Sequence, residues 1–471
     1  MDNNTIAAIA TPTGFGGIGI IKISGKGALS IASSIFQRST ASSDKPKDTN
    51  SACFSSLKSH QLYYGHVVDP ANGRVLDEVL LSVMLAPHTY TMENVVEINT
   101  HAGPVVQASI LDLVIKKGAR LAEPGEFTKR AYLNGRIDLT QAEAVIDIIN
   151  SRTDKALEIA TSQIKGRLKK SVESIRQSLI NLLTEIEAAI DFPDDVGEII
   201  NTKTAIKVLE NHVIVDLKDL IDHYKNAHIL RDGLKMVVVG RPNVGKSSLM
   251  NRLIQNDRAI VTSIPGTTRD LIEEILNIHG IPVIIADTAG LHETDDPVEV
   301  IGIKKTQEYI NGSDLVLFMV DASDSLTSED YKIYETINDK QMILVVNKSD
   351  LAEDDFELEA ADSWKKIPSI KISALYGSGI NELKDLIAKL TIGERGFEVG
   401  NKIIPNLRHK IALERSLQLS VSAVEEIRKE TPFELIAIDI LEAVDTLGEV
   451  IGVTVKEDVI DQIFSRFCIG K

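Results

Sequence analysis

The sequence predicts a multidomain protein of mixed α+β and α/β architecture, and three patterns carry that reading. Short β-rich runs broken by turns fill residues 1–134. A proline-free stretch with helical periodicity follows. Buried-strand runs then alternate with helical stretches, after which the chain returns to helix. Val/Ile/Tyr-rich runs punctuated by Gly, Pro and Asn read as strands, and strand–helix alternation reads as a doubly wound sheet.

In the first part the runs are GIGIIKISG, HQLYYGHVV, EVLLSVML and NVVEINTHAGP. The segment from Thr40 to Ala52 is small, polar and Pro-containing, and is expected to be a loop without chemistry of its own. Between Gly125 and Phe192 there is no proline, and apolar residues recur every three or four positions, so long helices are expected there. LKMVVVG, IPVIIADT, DLVLFMVD, QMILVVN and IPSIKIS then read as buried parallel strands. Helix before and after them implies one helical domain with an α/β domain inserted, because chain ends in compact domains commonly lie close together. The expected boundaries are residues 1–134 for the N-terminal domain, 135–231 and 393–471 for the two helical parts, and 232–392 for the insert.

The 471 residues are 43% hydrophobic and 25% charged, which is ordinary for a globular chain. Two cysteines, Cys53 and Cys468, cannot make a disulfide framework and suit a reducing compartment. MDNNTIAAIATPTG has neither the basic nor the continuous apolar region of a signal peptide. No apolar run reaches the ~18–20 residues that span a bilayer. The expectation is a cytoplasmic protein without a membrane partner. A net charge of −17 argues against a non-specific coat for nucleic acid, since such binding rests on Lys and Arg neutralising phosphates. KGRLKK (Lys165 to Lys170) is the one basic run, and is expected to be a solvated helix face. The terminal CIGK has the outline of a prenylation box, but Lys471 is not among the usual last residues and no polybasic run precedes it.

GRPNVGKSSL, from Gly240 to Leu249, matches G-x-x-x-x-G-K-S between a strand and a helix, the context a phosphate loop requires. Its glycines let the backbone wrap a phosphate chain, with N–H groups at the helix start facing the anion. Lys246 is placed to reach the β/γ-phosphates and the Ser247 hydroxyl to bind Mg²⁺. Three further segments identify the base. Asp287-Thr288-Ala289-Gly290 ends a strand, with Asp287 beside the metal and Gly290 beside the γ-phosphate, and Gly266-Thr267-Thr268 precedes it. Thr268 is placed to sense Mg²⁺ and the γ-phosphate. Asn347-Lys348-Ser349-Asp350 ends another strand. An ionised carboxylate only accepts hydrogen bonds, so Asp350 suits the N1–H and N2–H₂ donors of guanine, which adenine lacks. Ser373-Ala374-Leu375 then supports the base. The substrate expected is GTP.

Ras-like GTPases place a water-orienting Gln directly after this Asp-x-x-Gly motif. Leu291 stands there and cannot orient water. Glu293, Asp295, Asp296 and Glu299 compete for the role on spacing alone. A second glycine pattern, Gly14-x-Gly16-x-x-Gly19, formally matches a dinucleotide fingerprint. It runs into a β-rich segment where that fingerprint must open a helix, so NAD and FAD are not expected here.

Taken together, TIAAIATPTGFGGIGIIKISG, VVEINTHAGPVV, EPGEFTKRAYLNGRIDLTQAEAVIDII, the nucleotide motifs and the terminal FCIGK resemble the MnmE/TrmE family of tRNA-modification GTPases over essentially the whole chain. The resemblance implies an N-terminal tetrahydrofolate-binding-like domain, a helical domain and an inserted P-loop G domain, in a homodimer. It implies a folate site made by Lys22, Glu97, Arg136 and Lys471, with Cys468 beside the one-carbon unit. This gives the chain terminus a role that lipidation does not. It also implies nucleotide contacts from Asn243, Val244, Gly245, Lys246, Ser247 and Ser248 and from Thr262, Ser263, Ile264, Pro265, Gly266, Thr267 and Thr268. Asp287, Thr288, Ala289, Gly290, Asn347, Lys348, Asp350, Ser373, Ala374 and Leu375 complete that set.

The family further implies a K⁺ ion in place of an arginine finger, held by Asn243, Thr262, Ile264 and Thr267, with Mg²⁺ on Ser247 and Thr268. It selects Glu299 to position the attacking water. Its members act on tRNA with an FAD-dependent partner, in a heterotetramer or larger assembly. They build an aminomethyl or carboxymethylaminomethyl group at C5 of the wobble uridine, taking one carbon from a tetrahydrofolate derivative. Phe15, Lys22 and Ala102 depart from the family's common Arg, Arg and Gly. Two other classes stay open on the residues alone: an RNA-binding switch of the ribosome-assembly kind, and a GTP-gated scaffold without folate chemistry. The acidic helical segments VEEIRKE and DILEAVDTLGE stand where the first would carry a basic module.

Overall fold

A computed structural model describes residues 4–12, 14–39, 58–192, 199–257, 273–286, 308–352, 363–393 and 403–471. The chain forms two compact units, residues 1–146 with 448–471 and residues 147–447. The last segment therefore groups with the N-terminal part and not with the helices that precede it.

The first unit is built on a seven-stranded sheet in the order β3-β4-β5-β6-β2-β1-β7. Its strands are β1 (Ile6–Ile9), β2 (Gly16–Ser24), β3 (Phe36–Arg38), β4 (Gln61–Asp69), β5 (Arg74–Met84), β6 (Val95–Ala102) and β7 (Arg120–Leu121). Pairing is antiparallel except between β1 and β7. Alternation along β2 and β6 sends Ile21, Ile23, Val96 and Ile98 into a core shared with the helices Ala28–Ile35 and Pro104–Lys116. β2 starts at Gly16, so the glycine pattern opens a strand, in line with the rejection of a dinucleotide site.

Helix Glu126–Leu133 is fastened by a buried carboxylate. Glu126 accepts hydrogen bonds from Arg120 and Arg130, and Arg130 also donates to both oxygens of Glu93. Burial pushes the Glu126 pKa up, but bonds from Arg120, from the Glu123 N–H and from Arg130 outweigh it and hold it below the usual carboxylate range. Helix Glu457–Phe464 and the residues after it close the unit, Phe464 and Phe467 packing with Leu139 and Ala142.

The second unit holds the long helices and a six-stranded sheet in the order β13-β12-β11-β8-β10-β9. These strands are β8 (Leu234–Val239), β9 (Glu273–Ile278), β10 (Ile281–Ala286), β11 (Leu315–Asp321), β12 (Met342–Asn347) and β13 (Ser369–Lys371). All neighbours are parallel except the β9–β10 hairpin. Every residue of β11 and β12 is buried, as continuous apolar runs covered on both faces must be. Helix Arg167–Asp191 buries Leu168, Val172, Ile175, Leu179, Leu182 and Ile186, the three- and four-residue spacing read from sequence. Helices on either side of the sheet in sequence pack together, Val215–Asp232 against Leu407–Arg428. The basic run lies at the start of the long helix, where Lys165 and Lys170 are exposed and Lys169 faces Glu173 at 3.7 Å. Among the described residues no helix is long and apolar enough to cross a membrane.

Candidate functional site

The phosphate loop, the Asn-Lys-Ser-Asp loop and the Ser-Ala-Leu loop fall at the carboxyl ends of parallel strands, where open α/β sheets bind ligands. β8 delivers the phosphate loop and β12 ends on Asn347, two strands away. Helix Lys246–Asp257 begins at the loop's lysine, which directs its free N–H groups at an anion. Lys246 Nζ donates to the carbonyls of Gly240 (2.8 Å) and Arg241 (3.0 Å). Burial pushes its pKa down, against the raising influence of Glu329. Ser247 and Ser248 are exposed, so the Ser247 hydroxyl is free of packing and suited to a hard cation such as Mg²⁺.

Asn347 ties the phosphate loop to the base loop. Its Nδ2 donates to Val244 O (2.7 Å) and its Oδ1 accepts from Ala374 N (2.9 Å), both bonds being buried. Gly245 shows why glycine is needed here: its φ is +100°, and a Cβ would stand 2.2 Å from Asn347 Nδ2. Asn243 and Lys348 adopt left-handed φ angles of 64° and 63°, a conformation that costs non-glycine residues about 1–3 kcal/mol and concentrates at functional sites. Asp350 is exposed, Ser373 is buried, and Ser373 Oγ accepts from Tyr376 N (3.3 Å).

Two residues that motif reading missed hold this arrangement. Asp321 closes β11 and stands opposite Asn347 in the register. Its carboxylate binds Lys348 Nζ at 2.6 Å and accepts from Ser323 Oγ at 2.7 Å. The signal was present in DLVLFMVD, a buried strand ending on an acid, but its partner lies on another strand. Burial raises the Asp321 pKa, but bonds from Lys348 and Ser323 overcome this and leave it below the ordinary value. Folding stability from this group is thus full above the unfolded Asp pKa and lost as pH falls through the lowered folded pKa. Asp321→Asn is expected to remove that acid-side loss from thermal melts, and to weaken GDP binding about tenfold by freeing Lys348. Unchanged melts and unchanged affinity would contradict the assignment. Arg252, the second missed residue, is treated below.

Thr262, Ser263, Ile264, Pro265, Gly266, Thr267, Thr268, Asp287, Thr288, Ala289, Gly290 and Glu299 lie outside the described residues, as does Cys53.

A second cluster lies in the first unit. β2 and β6 place Lys22 opposite Glu97, with Nζ 3.6 Å from Oε1. Lys22 Nζ stands 5.2 Å from the Tyr90 ring centroid and 5.3 Å from that of Phe127. The guanidinium of Arg136 stacks on the same Tyr90 ring at 4.7 Å, and its Nη1 donates to Tyr90 O (3.2 Å). Both lie in the range of a cation–π contact. Burial pushes the Lys22 pKa below the ordinary lysine value; Glu97 opposes this, while Lys471 and Arg136 reinforce it. Lys471 O accepts from Phe127 N at 3.1 Å. The four residues are thus assembled from β2, β6, the turn after helix Glu126–Leu133 and the last residue. Tyr90 and Phe127 were not read from sequence, having no motif around them. The Cys468 thiol is free and exposed, and its carbonyl accepts from Gly125 N (3.4 Å) and Lys471 N (3.3 Å). Phe15 is 96% exposed, and Ala102 pairs with Gly16 across β6 and β2.

A parallel sheet whose strand ends carry a phosphate loop, an Asn-Lys-Ser-Asp loop and a Ser-Ala-Leu loop defines a P-loop GTPase, and that is the enzyme class of this chain. Residues 139–468 match the family model described as the MnmE helical domain, and residues 5–136 match that of the GTP-binding protein TrmE N-terminus. A protein of Carboxydothermus hydrogenoformans named tRNA modification GTPase MnmE is 46% identical over 473 residues, covering 100% of both chains. One of the same name from Desulfotalea psychrophila is 46% identical over 474 residues, covering 100% of this chain and 99% of the other. An Aquifex aeolicus Era structure shares 28% identity over 39% of this chain and 66% of its own, with a TM-score of 0.26, too low to carry an inference. The chain belongs to the MnmE family.

Proposed function

We propose that this GTPase drives modification of the wobble uridine of tRNA, using a one-carbon unit held in the first unit of the chain. The observation that carries the reading is the meeting of Lys22 and Arg136 on the Tyr90 ring, with Glu97 paired to Lys22 and Lys471 near enough to lower the Lys22 pKa. Glu97 only accepts hydrogen bonds and so matches the ring N–H donors of a pterin. Lys22, Arg136 and Lys471 match the carboxylates of the glutamate tail that a folate carries, and Tyr90 offers an apolar wall for a flat ring. These residues would hold a tetrahydrofolate derivative, which when bound supplies the carbon added at C5.

In the nucleotide site Lys246 and the N–H groups at the helix start bind the phosphates, and Asp350 selects guanine. Ser247 and Thr268 would hold Mg²⁺. Asn243, with Thr262, Ile264 and Thr267, would hold K⁺, which supplies the positive charge an arginine finger provides elsewhere. Glu299 orients the attacking water. Hydrolysis is conformational work within a homodimer, and the new C–C and C–N bonds are made with an FAD-dependent partner protein. Mass spectrometry of tRNA nucleosides from cells with and without the protein tests this. Loss of C5-aminomethyl-type uridines is the expected result, and an unchanged profile would refute the tRNA assignment while leaving the GTPase intact.

A further inference from the structure

We propose that Arg252 is a positioning residue for guanine recognition, holding the loop from Ser373 to Gly377 so that the Leu375 N–H, the one amide of the loop not already donated among the described residues, meets O6 of the base. The inference rests on the reading of Asp350 and Ser373–Leu375 as the base site. Arg252 lies on helix Lys246–Asp257, six residues beyond the phosphate-binding lysine. Its Nε donates to Ala374 O at 3.3 Å and its Nη2 donates to Leu375 O. A Cβ on Gly377 would lie 3.8 Å from the guanidinium carbon, so the loop curls around the planar group. Ser373 and Ala374 are buried, but Leu375 and Tyr376 are 67% and 71% exposed, so packing does little to fix the tip of the loop and hydrogen bonds must. Among the described residues Arg252 is paired with no carboxylate. Its fork of donors goes to two neutral carbonyls adjacent in sequence, which suits a rigid guanidinium and not a flexible ammonium.

The chemistry of the base explains the use. Along its hydrogen-bonding edge guanine presents N2–H₂, N1–H and then the O6 acceptor. Asp350 can take the two donors, and O6 needs a donor beside them. The Ala374 N–H is taken by Asn347 Oδ1, N to O 2.9 Å, which leaves the Leu375 N–H beside it as the donor. Asn347 anchors this loop to the phosphate loop, and Arg252 anchors it to the helix that follows. Loosening the Arg252 side would cost the O6 contact while leaving the phosphate contacts in place.

Equilibrium binding of GDP and of 6-thio-GDP to the full chain separates this role from general packing. The thio analogue keeps N1–H and N2–H₂ but replaces O6 by sulfur, a weaker acceptor. Wild type is expected to prefer GDP. Arg252→Ala is expected to lose about tenfold on GDP, the size of one charge-assisted hydrogen bond, and little on the analogue, so the preference collapses. Arg252→Lys, which keeps charge but not the fork, is expected to recover only part of it. Equal losses on both nucleotides, or no loss on either, would overturn the role of Arg252. A wild type that binds both nucleotides equally would instead overturn the base-site reading beneath it. Should Arg252→Ala fail to fold in a thermal melt, the same ratio is read from Arg252→Lys and Arg252→Gln.

Discussion

Asp350→Asn is expected to turn this enzyme away from GTP and toward xanthosine triphosphate. Asp350 offers two acceptor oxygens at the mouth of the loop that ends β12, close to the left-handed Lys348. Guanine answers with two donors. Each charge-assisted bond is worth about 1.5–3 kcal/mol. Losing one, with a donor left facing N2–H₂, and weakening the other to a neutral bond should weaken GTP by about 10²-fold or more at about 1.4 kcal/mol per factor of ten. An asparagine presents one acceptor and one donor, which suits the N1–H and O2 of xanthine. Hydrolysis rates at matched GTP and XTP concentrations read the exchange. A variant that still hydrolyses GTP at the wild-type KM would remove Asp350 from the base site. Because Lys246, Asn347 and Asp321 hold the phosphate loop and Lys348 independently, the fold should survive, and a thermal melt checks this.

A single methyl group at position 470 is expected to dismantle the second cluster. Gly470 has a φ of +94°, and an added Cβ would fall 2.5 Å from Ile9 O and 2.8 Å from Ala10 Cα. Backbone cannot yield as a side-chain tip can, and the left-handed conformation alone costs an L-residue about 1–2 kcal/mol. Gly470→Ala should therefore lift the tail from β1 and withdraw Lys471 from Lys22. The Lys22 pKa should then rise toward its ordinary value, because Lys471 is one of the charges that hold it down. Isothermal titration with 5-formyl-tetrahydrofolate should show at least about a tenfold loss, the size of one charge-assisted bond. Gly73→Ala is the control: its φ is +72° with nothing within 4 Å, so it carries the strain without the clash. Equal affinities for wild type and Gly470→Ala would separate the tail from ligand binding.

The two sites were legible to different degrees. The phosphate loop, the Asn-Lys-Ser-Asp loop and the Ser-Ala-Leu loop are each contiguous, and each follows a strand; β8 and β12 are buried as read, whereas β13, at the sheet's edge, is largely exposed. Their motifs are therefore written within a few residues, and strand order needs only to bring the ends together. Asp321 was hidden because its partner Lys348 follows the end of the neighbouring strand, and a register cannot be read from one strand alone. Arg252 was hidden for a related reason: helical periodicity marks it as surface, while its acceptors are carbonyls, which carry no sequence signature. In the other site a family resemblance named Lys22, Glu97, Arg136 and Lys471, but no spacing in the chain links them.

The sequence by itself determined the classes of element and the P-loop GTPase class, because these depend on local periodicity and on functional groups at fixed offsets. Only tertiary structure decided that Lys22 stands opposite Glu97, that Tyr90 lies beneath two cations, and that the final residues join the first unit. Those facts depend on pairing between strands and on packing between distant segments. Side-chain alternation shows which face is buried, and it does not show what the other face will meet.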